Sequence, residues 1–247
     1  MIKKLLVASI VAVVIFSACK KETETFKTAA INEYAPLTVG KFITYKLDSF
    51  RYLPFSIQSI TITYEVKFLV DAAITDNLGR PAFRIIRYIR SSPTAAWVPD
   101  NTFTAINDEN SFEFVENNLR FIRLRMPIIS NFIWKGNSFI NTSSQYSDLR
   151  YLEDWDYAYD SINAPLKLGA INLDSTLKVA QRDEIIGNPS DPNSYSEKNF
   201  SIEYYAKGIG LVYKRFLHSE YQPPTGSRDG YYSDATKGFI LTMTGHN

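Results

Sequence analysis

Hydrophobic and polar residues alternate along most of this chain with the period of a half-buried β-strand. The clearest run spans 60–70, where every even position is apolar and the odd positions up to 67 are polar or charged. Alternation of this kind places one set of side chains in a core and the other in water. The pattern predicts a first strand ending near Lys46 and further strands at 60–70, 82–90, 103–106, 112–115, 119–126, 151–159, 176–182, 200–206, 209–217 and 238–244.

Turn-forming residues separate these runs, as in the turn at 76–79 and the loop at 187–199. Residues 127–150 have no clean period, and no window of about twelve residues shows the apolar stripe of an amphipathic helix. About ten short strands with few short helices are typical of antiparallel proteins. The sequence therefore predicts an all-β fold, a half-open barrel or a sandwich.

The first eighteen residues depart from this pattern. Lys3 and Lys4 precede an apolar run from Leu5 to Phe16, and small residues follow it before Cys19, the only cysteine. A basic head, a short apolar stretch and a small-residue end are typical of an export signal and too short for a spanning helix. The sequence predicts a signal peptide at 1–18.

Ser17, Ala18 and Cys19 resemble the lipobox of bacterial lipoproteins. In that family the cysteine thiol receives a diacylglycerol, the preceding peptide is removed and the new amino terminus is acylated, typically with palmitate. The resemblance implies anchoring of Cys19 in the outer membrane of a Gram-negative envelope. Because residues 20–32 are polar and have no apolar period, we expect 19–33 to be a lipidated flexible tether and 34–247 a single β domain.

Composition and charge exclude several functions. The formal net charge is +1, and it becomes −1 without the two lysines of the signal, so no surface for nucleic acid is indicated. A lipidated Cys19 leaves no thiol for a disulfide or a metal. His218 and His246 are predicted to be isolated surface residues. With no catalytic motif present, we expect no catalytic residues, no metal and no cofactor.

The stretch 153–160 combines acidic and aromatic residues and is the candidate ligand site. Trp155, Tyr157 and Tyr159 share one strand face, and Asp154 and Asp156 share the other. Aromatic rings in a row can stack on the apolar faces of sugars, while carboxylates can bind hydroxyls or act as acid and base. The alternative is an ordinary strand with an aromatic core face and an acidic wet face.

Arginine is concentrated in the first half of the domain. Seven arginines and no lysine occur between positions 68 and 134: Arg80, Arg84, Arg87, Arg90, Arg120, Arg123 and Arg125. They could form a patch that binds carboxylate or phosphate. Alternatively, the arginines pair across strands with acids that occur between them in the sequence, and we favour this interpretation. These acids are Asp100, Asp108, Glu109, Glu113 and Glu116.

Residues 203–215, EYYAKGIGLVYKR, resemble a signature near the end of many poorly characterised Gram-negative lipoproteins. A turn is expected at Lys207-Gly208, and the signature itself indicates no chemistry. Proteins of this broad type resemble the half-open barrels of the LolA/LolB lipoprotein carriers. That resemblance implies a concave side able to hold an apolar ligand.

These features predict a lipid-anchored envelope lipoprotein with a non-catalytic binding or scaffolding domain. The alternative is a surface glycan-binding module or glycan hydrolase that uses the 153–160 stretch. The expected partners are the membrane, through the lipid, and an apolar ligand, a glycan or another envelope protein.

Overall fold

The structure is a computed structural model, and it describes residues 28–143 and 148–247. The signal peptide, Cys19 and most of the predicted tether lie outside the described residues. Within the described part, thirteen strands form one sheet. Their bounds are β1 Phe42–Tyr52, β2 Ser59–Thr75, β3 Pro81–Arg90, β4 Val98–Asn107, β5 Ser111–Glu116, β6 Leu119–Arg125, β7 Ile133–Lys135, β8 Asp156–Leu168, β9 Ile171–Gly187, β10 Ser196–Ala206, β11 Gly210–Gln222, β12 Tyr231–Tyr232 and β13 Lys237–His246.

The strands follow one another as antiparallel neighbours in two runs. One run is β1 to β6, and the other leads from β7 to β11 and β13, with the short β12 paired beside β11. The two runs join where β1 pairs with β13, from Ile43 opposite His246 to Phe50 opposite Gly238. The sheet curls into a nearly closed barrel with one open seam between β6 and β7. The predicted all-β fold is confirmed, and of the two predicted architectures, half-open barrel or sandwich, the protein has the barrel.

Side chains and single hydrogen bonds bridge the seam. The Ile122 amide of β6 donates to the Gly136 carbonyl at 2.8 Å, and the Trp134 indole donates back to the Ile122 carbonyl at 2.7 Å. Tyr159 of β8 reaches across, where its hydroxyl donates to the Arg125 carbonyl and accepts from the Arg125 amide. The seam is therefore held shut by aromatic side chains in place of a ladder.

Antiparallel pairing sends alternate turns to opposite ends of the barrel. One end, here called the closed end, carries the turns at 76–80 and 207–209 together with helix α1, Ile31–Tyr34. The other end, the mouth, carries the connections at 53–58, 117–118 and 188–195.

Helix α1 covers the closed end. Ile31 and Tyr34 are buried, the Gly208 amide donates to the Glu33 carbonyl at 2.7 Å, and Lys207 pairs with Glu33 at 3.2 Å. Residues 31–33, which the sequence placed in the tether, are therefore packed against the domain.

Two hydrophobic clusters form the core. The larger holds Trp134, Trp155 and Tyr159 with side chains of β3 to β6 and α1, and the smaller centres on Tyr45 and Val212. All their named members come from residues 29–243, so the chain from residue 28 onward carries a hydrophobic core of its own.

The structure corrects several predicted boundaries. The strand predicted at 151–159 begins only at Asp156, because a 3-10 turn occupies Arg150–Leu152 and Asp154 has a φ of 53°, which extended backbone does not allow. The three-residue β7 lies within 127–150, where no period was visible because so short a strand has none. The loop at 187–199 ends earlier, since β10 begins at Ser196.

Candidate functional site

The barrel encloses a cavity that opens at the mouth. Its volume is about 760 Å³, within the range of roughly 300 to 1,000 Å³ that is typical of ligand sites. A smaller space of about 240 Å³ shares part of its lining, including Ser49, Arg123 and Lys214, so the two are parts of one interior. The barrel is therefore hollow towards the mouth, whereas only a pocket of about 70 Å³ lies near the closed end.

Four charged side chains meet in the wall of this cavity, and we call them the charge cluster: Glu116, Arg123, Glu203 and Lys214. The Glu203 side chain is fully buried, with Nζ of Lys214 at 2.9 Å and Nη1 of Arg123 at 3.7 Å from Oε1. Arg123 also pairs with Glu116 at 3.0 Å. Two acids and two bases thus balance one another inside the barrel.

Strand alternation explains how these charges come to face inward. Glu203 shares the inner face of β10 with Ser201 and Tyr205, all of them buried. Lys214 follows Val212 on the inner face of β11, and the bulge opposite Tyr204 and Tyr205 adjusts the register between the two strands. The charges are therefore core positions of regular strands.

The cluster holds its carboxylates ionised. Burial alone would raise the pKa of Glu203, but Lys214, Arg123 and a 2.5 Å hydrogen bond from the Tyr205 hydroxyl together lower it to about 2. Burial likewise opposes ionisation of Glu116, yet the charges of Arg123 and Lys214 lower its pKa too. Neither carboxylate holds a proton to donate near neutral pH.

Aromatic rings form much of the cavity wall. Phe216 and Phe239 stack at 5.6 Å, and Trp155 lies 6.3 Å from Phe216. Tyr151 stacks on His218 at 4.1 Å. The surface position predicted for His218 is wrong: the ring is 1% exposed, because its strand turns it inward, where Nδ1 bonds Asn199 at 2.7 Å and Nε2 bonds Glu220 at 3.2 Å.

The structure separates the five residues of the acidic-aromatic stretch. Trp155, Tyr157 and Tyr159 are 2%, 2% and 0% exposed, so the interpretation of these rings as core is confirmed. Trp155 and Tyr157 also line the cavity. Asp154 and Asp156 have exposed side chains that pair with Lys135 at 3.4 and 3.1 Å. Ligand binding by this stretch stays a prediction.

Most of the arginines pair with acids on neighbouring strands. Arg80 lies 2.7 Å from Glu113, Arg87 bonds Asp100 at 2.6 Å, and Arg123 pairs with Glu116. Arg84 bonds Asp71, Arg90 bonds Glu65, and Arg120 bonds Glu113. Pairing with the predicted acids is confirmed for four of these arginines, whereas the partners of Arg84 and Arg90 were not among the predicted acids. The prediction of exposed charges is wrong for Arg123, which lies inside the barrel at 4% exposure over the ring of Phe114.

The 203–215 signature holds chemistry that the sequence did not reveal. It contributes Glu203 and Lys214 to the charge cluster, and its Lys207-Gly208 turn binds helix α1. The sequence feature that could have revealed these charges is alternation along the strands. Glu203 lies two residues from Tyr205, and Lys214 lies two residues from Val212, so each charge shares a strand face with a core residue. The sequence could not show which face was the inner one.

Two further structural findings concern membranes and metals. Among residues 28–143 and 148–247, none of the helices has the length and apolar character needed to cross a membrane. In the same residues, no group of three or more histidine, cysteine, aspartate or glutamate side chains is placed to hold a metal ion.

No protein-family model matches this chain, and no curated protein matches it significantly in sequence. Two solved structures are similar to it. One, from Bacteroides fragilis, is named as an exported protein with a YmcC-like fold. It is 10% identical in sequence, the match covers 89% of this chain and 100% of that chain, and the TM-score is 0.39. The other, from Parabacteroides distasonis, is named as a lipoprotein, with 12% identity, coverage of 90% and 100%, and a TM-score of 0.38. With TM-scores this low, neither likeness supports an argument about this chain.

Proposed function

We propose that this protein is a lipid-anchored lipoprotein of the outer membrane that binds a small ligand inside its barrel without catalysis. The observation that carries the proposal is the open cavity of about 760 Å³, lined by aromatic rings and by the charge cluster. A preformed concave cavity in which polar and charged groups converge beside aromatic rings is a typical place for a ligand site.

The electrostatics of the cavity support a non-catalytic role. Glu116 and Glu203 are its only lining carboxylates within the described residues, and both have lowered pKa values because Arg123 and Lys214 surround them. A hydrolase of the two-carboxylate type needs one carboxyl group that is protonated near neutral pH. Asp154 and Asp156 lie outside the cavity lining, where they could not act on a ligand within it.

The position of the amino terminus suggests how the protein is oriented. Helix α1 enters at the closed end, and residues 20–30 can span at most about 40 Å from Cys19. A lipid on Cys19 would tether the protein by its closed end, which leaves the mouth free to face away from the membrane. The ligand would then enter from the aqueous side.

A glycan is the second candidate ligand, and the partly exposed rings of Tyr151, Phe216 and Phe239 in the cavity wall favour it. Aromatic rings pack against the apolar faces of sugars, and Gln181 and Ser201 add polar groups to the same lining. Such a glycan would enter the barrel and would not lie across an exposed aromatic platform.

Thermal unfolding of residues 20–247 with panels of oligosaccharides and fatty acids tests the proposal. A ligand at about 100 times its Kd stabilises the native state by about 2.7 kcal/mol. We expect at least one class to raise the Tm of the parent and to leave Ser49→Trp unchanged, because residue 49 faces the cavity. Ser59→Trp, on the exposed start of β2, is the matched control and should respond like the parent. A Tm increase that survives Ser49→Trp would place the ligand elsewhere.

A further inference from the structure

Two cations lie side by side at the mouth of the cavity. Phe50 of β1 pairs with Gly238 of β13, so Arg51 and Lys237 occupy the next opposed positions on these strands. Opposed residues on antiparallel strands have Cβ atoms about 5 Å apart and project to the same face. Both residues line the cavity, and both are exposed to solvent.

The other cations of the lining have acidic partners, whereas these two do not. Arg87 bonds Asp100, Arg123 pairs with Glu116, and Lys214 pairs with Glu203. Within the described residues, neither Arg51 nor Lys237 has a carboxylate within the 4.0 Å limit of an ion pair. The mouth of the cavity therefore carries two positive charges that form no ion pair with the described residues.

Two like charges so placed favour a bound anion. Like charges directly opposite one another on a sheet are destabilising. The ammonium group of Lys237 lies 4.8 Å from the centre of the Tyr151 ring, and its partial desolvation there lowers its pKa, although the charges of Asp148 and Glu220 act in the opposite direction. An anion between the two side chains would pair with both charges and offset the desolvation of Lys237.

We propose that the ligand of the barrel carries an anionic group, a carboxylate, sulfonate or phosphate, which Arg51 and Lys237 bind at the mouth while a ring-shaped or apolar body occupies the cavity. This inference rests on the proposed function and names the chemical class of its ligand. The arginine supplies paired N–H donors and the lysine a compact charge, which together suit an oxyanion.

The aromatic wall fits the body of such a ligand. The Tyr151 ring lies directly beneath Lys237, and the stacked pair Phe216 and Phe239 continues the apolar wall inward. Deeper in, the charge cluster is already neutral, since each of its cations has a carboxylate. The negative group is therefore best placed at the mouth and the uncharged body inside.

Two fluorescent probes with one ring system test the inference: anilinonaphthalene sulfonate, which is an anion, and phenylnaphthylamine, which is neutral. Titrated into residues 20–247, the sulfonate should bind about 5- to 10-fold more weakly to Arg51→Gln and to Lys237→Gln than to the parent. Phenylnaphthylamine should bind all three proteins equally. Raising the salt concentration should weaken only the sulfonate, because charges exposed at the mouth are screened.

Two further variants separate the possible outcomes. Lys167→Gln removes the same charge from an exposed site near the closed end and should bind both probes like the parent. Ser49→Trp fills the cavity and should weaken both probes. If neither probe binds the parent, or if Ser49→Trp weakens neither, the proposed function fails and the inference fails with it. If both bind in the cavity but Arg51→Gln and Lys237→Gln bind the sulfonate as the parent does, only the anion inference is overturned.

Discussion

Replacing Glu203 by Gln should destabilise the barrel strongly, because it leaves two buried cations with one carboxylate. Glu203 is fully buried, and its pKa falls from an ordinary 4.5 to about 2 in the folded protein. At about 1.4 kcal/mol per pKa unit, that difference corresponds to about 3 kcal/mol of favourable interaction. Breaking a buried ion pair from one side costs a similar amount, about 3 to 5 kcal/mol.

The same pKa gives the variant a signature in its pH dependence. Because the folded pKa lies below the unfolded one, the contribution of Glu203 is fully present above about pH 4.5 and is lost as the pH falls toward 2. The difference in unfolding free energy between the parent and Glu203→Gln should therefore be largest above pH 4.5 and shrink below it. Acids distant from the charge cluster titrate alike in both proteins, so the difference between the two curves reports Glu203 together with its neighbour Glu116.

Urea unfolding of residues 20–247 at a series of pH values measures this difference. Glu153→Gln removes an exposed carboxylate nearby in the chain and should change stability by less than about 0.5 kcal/mol. Combining Glu203→Gln with Lys214→Met should cost less than the sum of the single changes, since it removes a charge of each sign. Equal unfolding midpoints for the parent and Glu203→Gln at pH 7 would refute the reasoning.

Three other changes test the fold and the anchor. Trp155→Ala should destabilise the domain by about 3 to 5 kcal/mol in urea unfolding, because the ring is 2% exposed in the core, and an unchanged midpoint would contradict that burial. Gly136→Ala should cost about 1 to 3 kcal/mol, since the added Cβ would overlap the buried ring of Tyr157. Tyr157→Leu in that background should recover part of the loss. Mass spectrometry of the mature protein should find a diacylglycerol on Cys19 and no residues 1–18, whereas Cys19→Ala should stay unprocessed. An intact Met1 in the parent would exclude the lipoprotein interpretation.

The fold was predictable where one face of a strand is core and the other is water. The 60–70 run shows this, because its inward positions such as Val66 are buried while Thr61 and Thr63 are exposed. Prediction failed where local backbone geometry overrides the pattern. The positive φ at Asp154 ends the extended conformation that the alternation of 151–159 suggested.

The site was harder to predict because it depends on contacts between distant strands. Arg123, Glu203 and Lys214 come from three separate strands, and as single charges in the sequence they are typical of solvated faces. A buried charge is tolerated only beside its partners, and those partners are known only once the barrel is closed. The sequence showed the aromatic residues of 153–160, but it could not show that Trp155 and Tyr157 line the cavity while Tyr159 bridges the seam.

The pairing of β1 with β13 has a consequence for when the barrel can form. Ile43 pairs with His246, far away in the sequence, so no strand ladder joins the two runs until Lys237–His246 has been synthesised. Until then β1 is an unpaired edge strand, which is a template for association with other chains. Proteins fold slowly when their strands pair with partners far away in the sequence. Loss of β13 would expose two further edges, on β1 and β11, in addition to those at the seam, so we expect aggregation, and not a smaller barrel, from its removal.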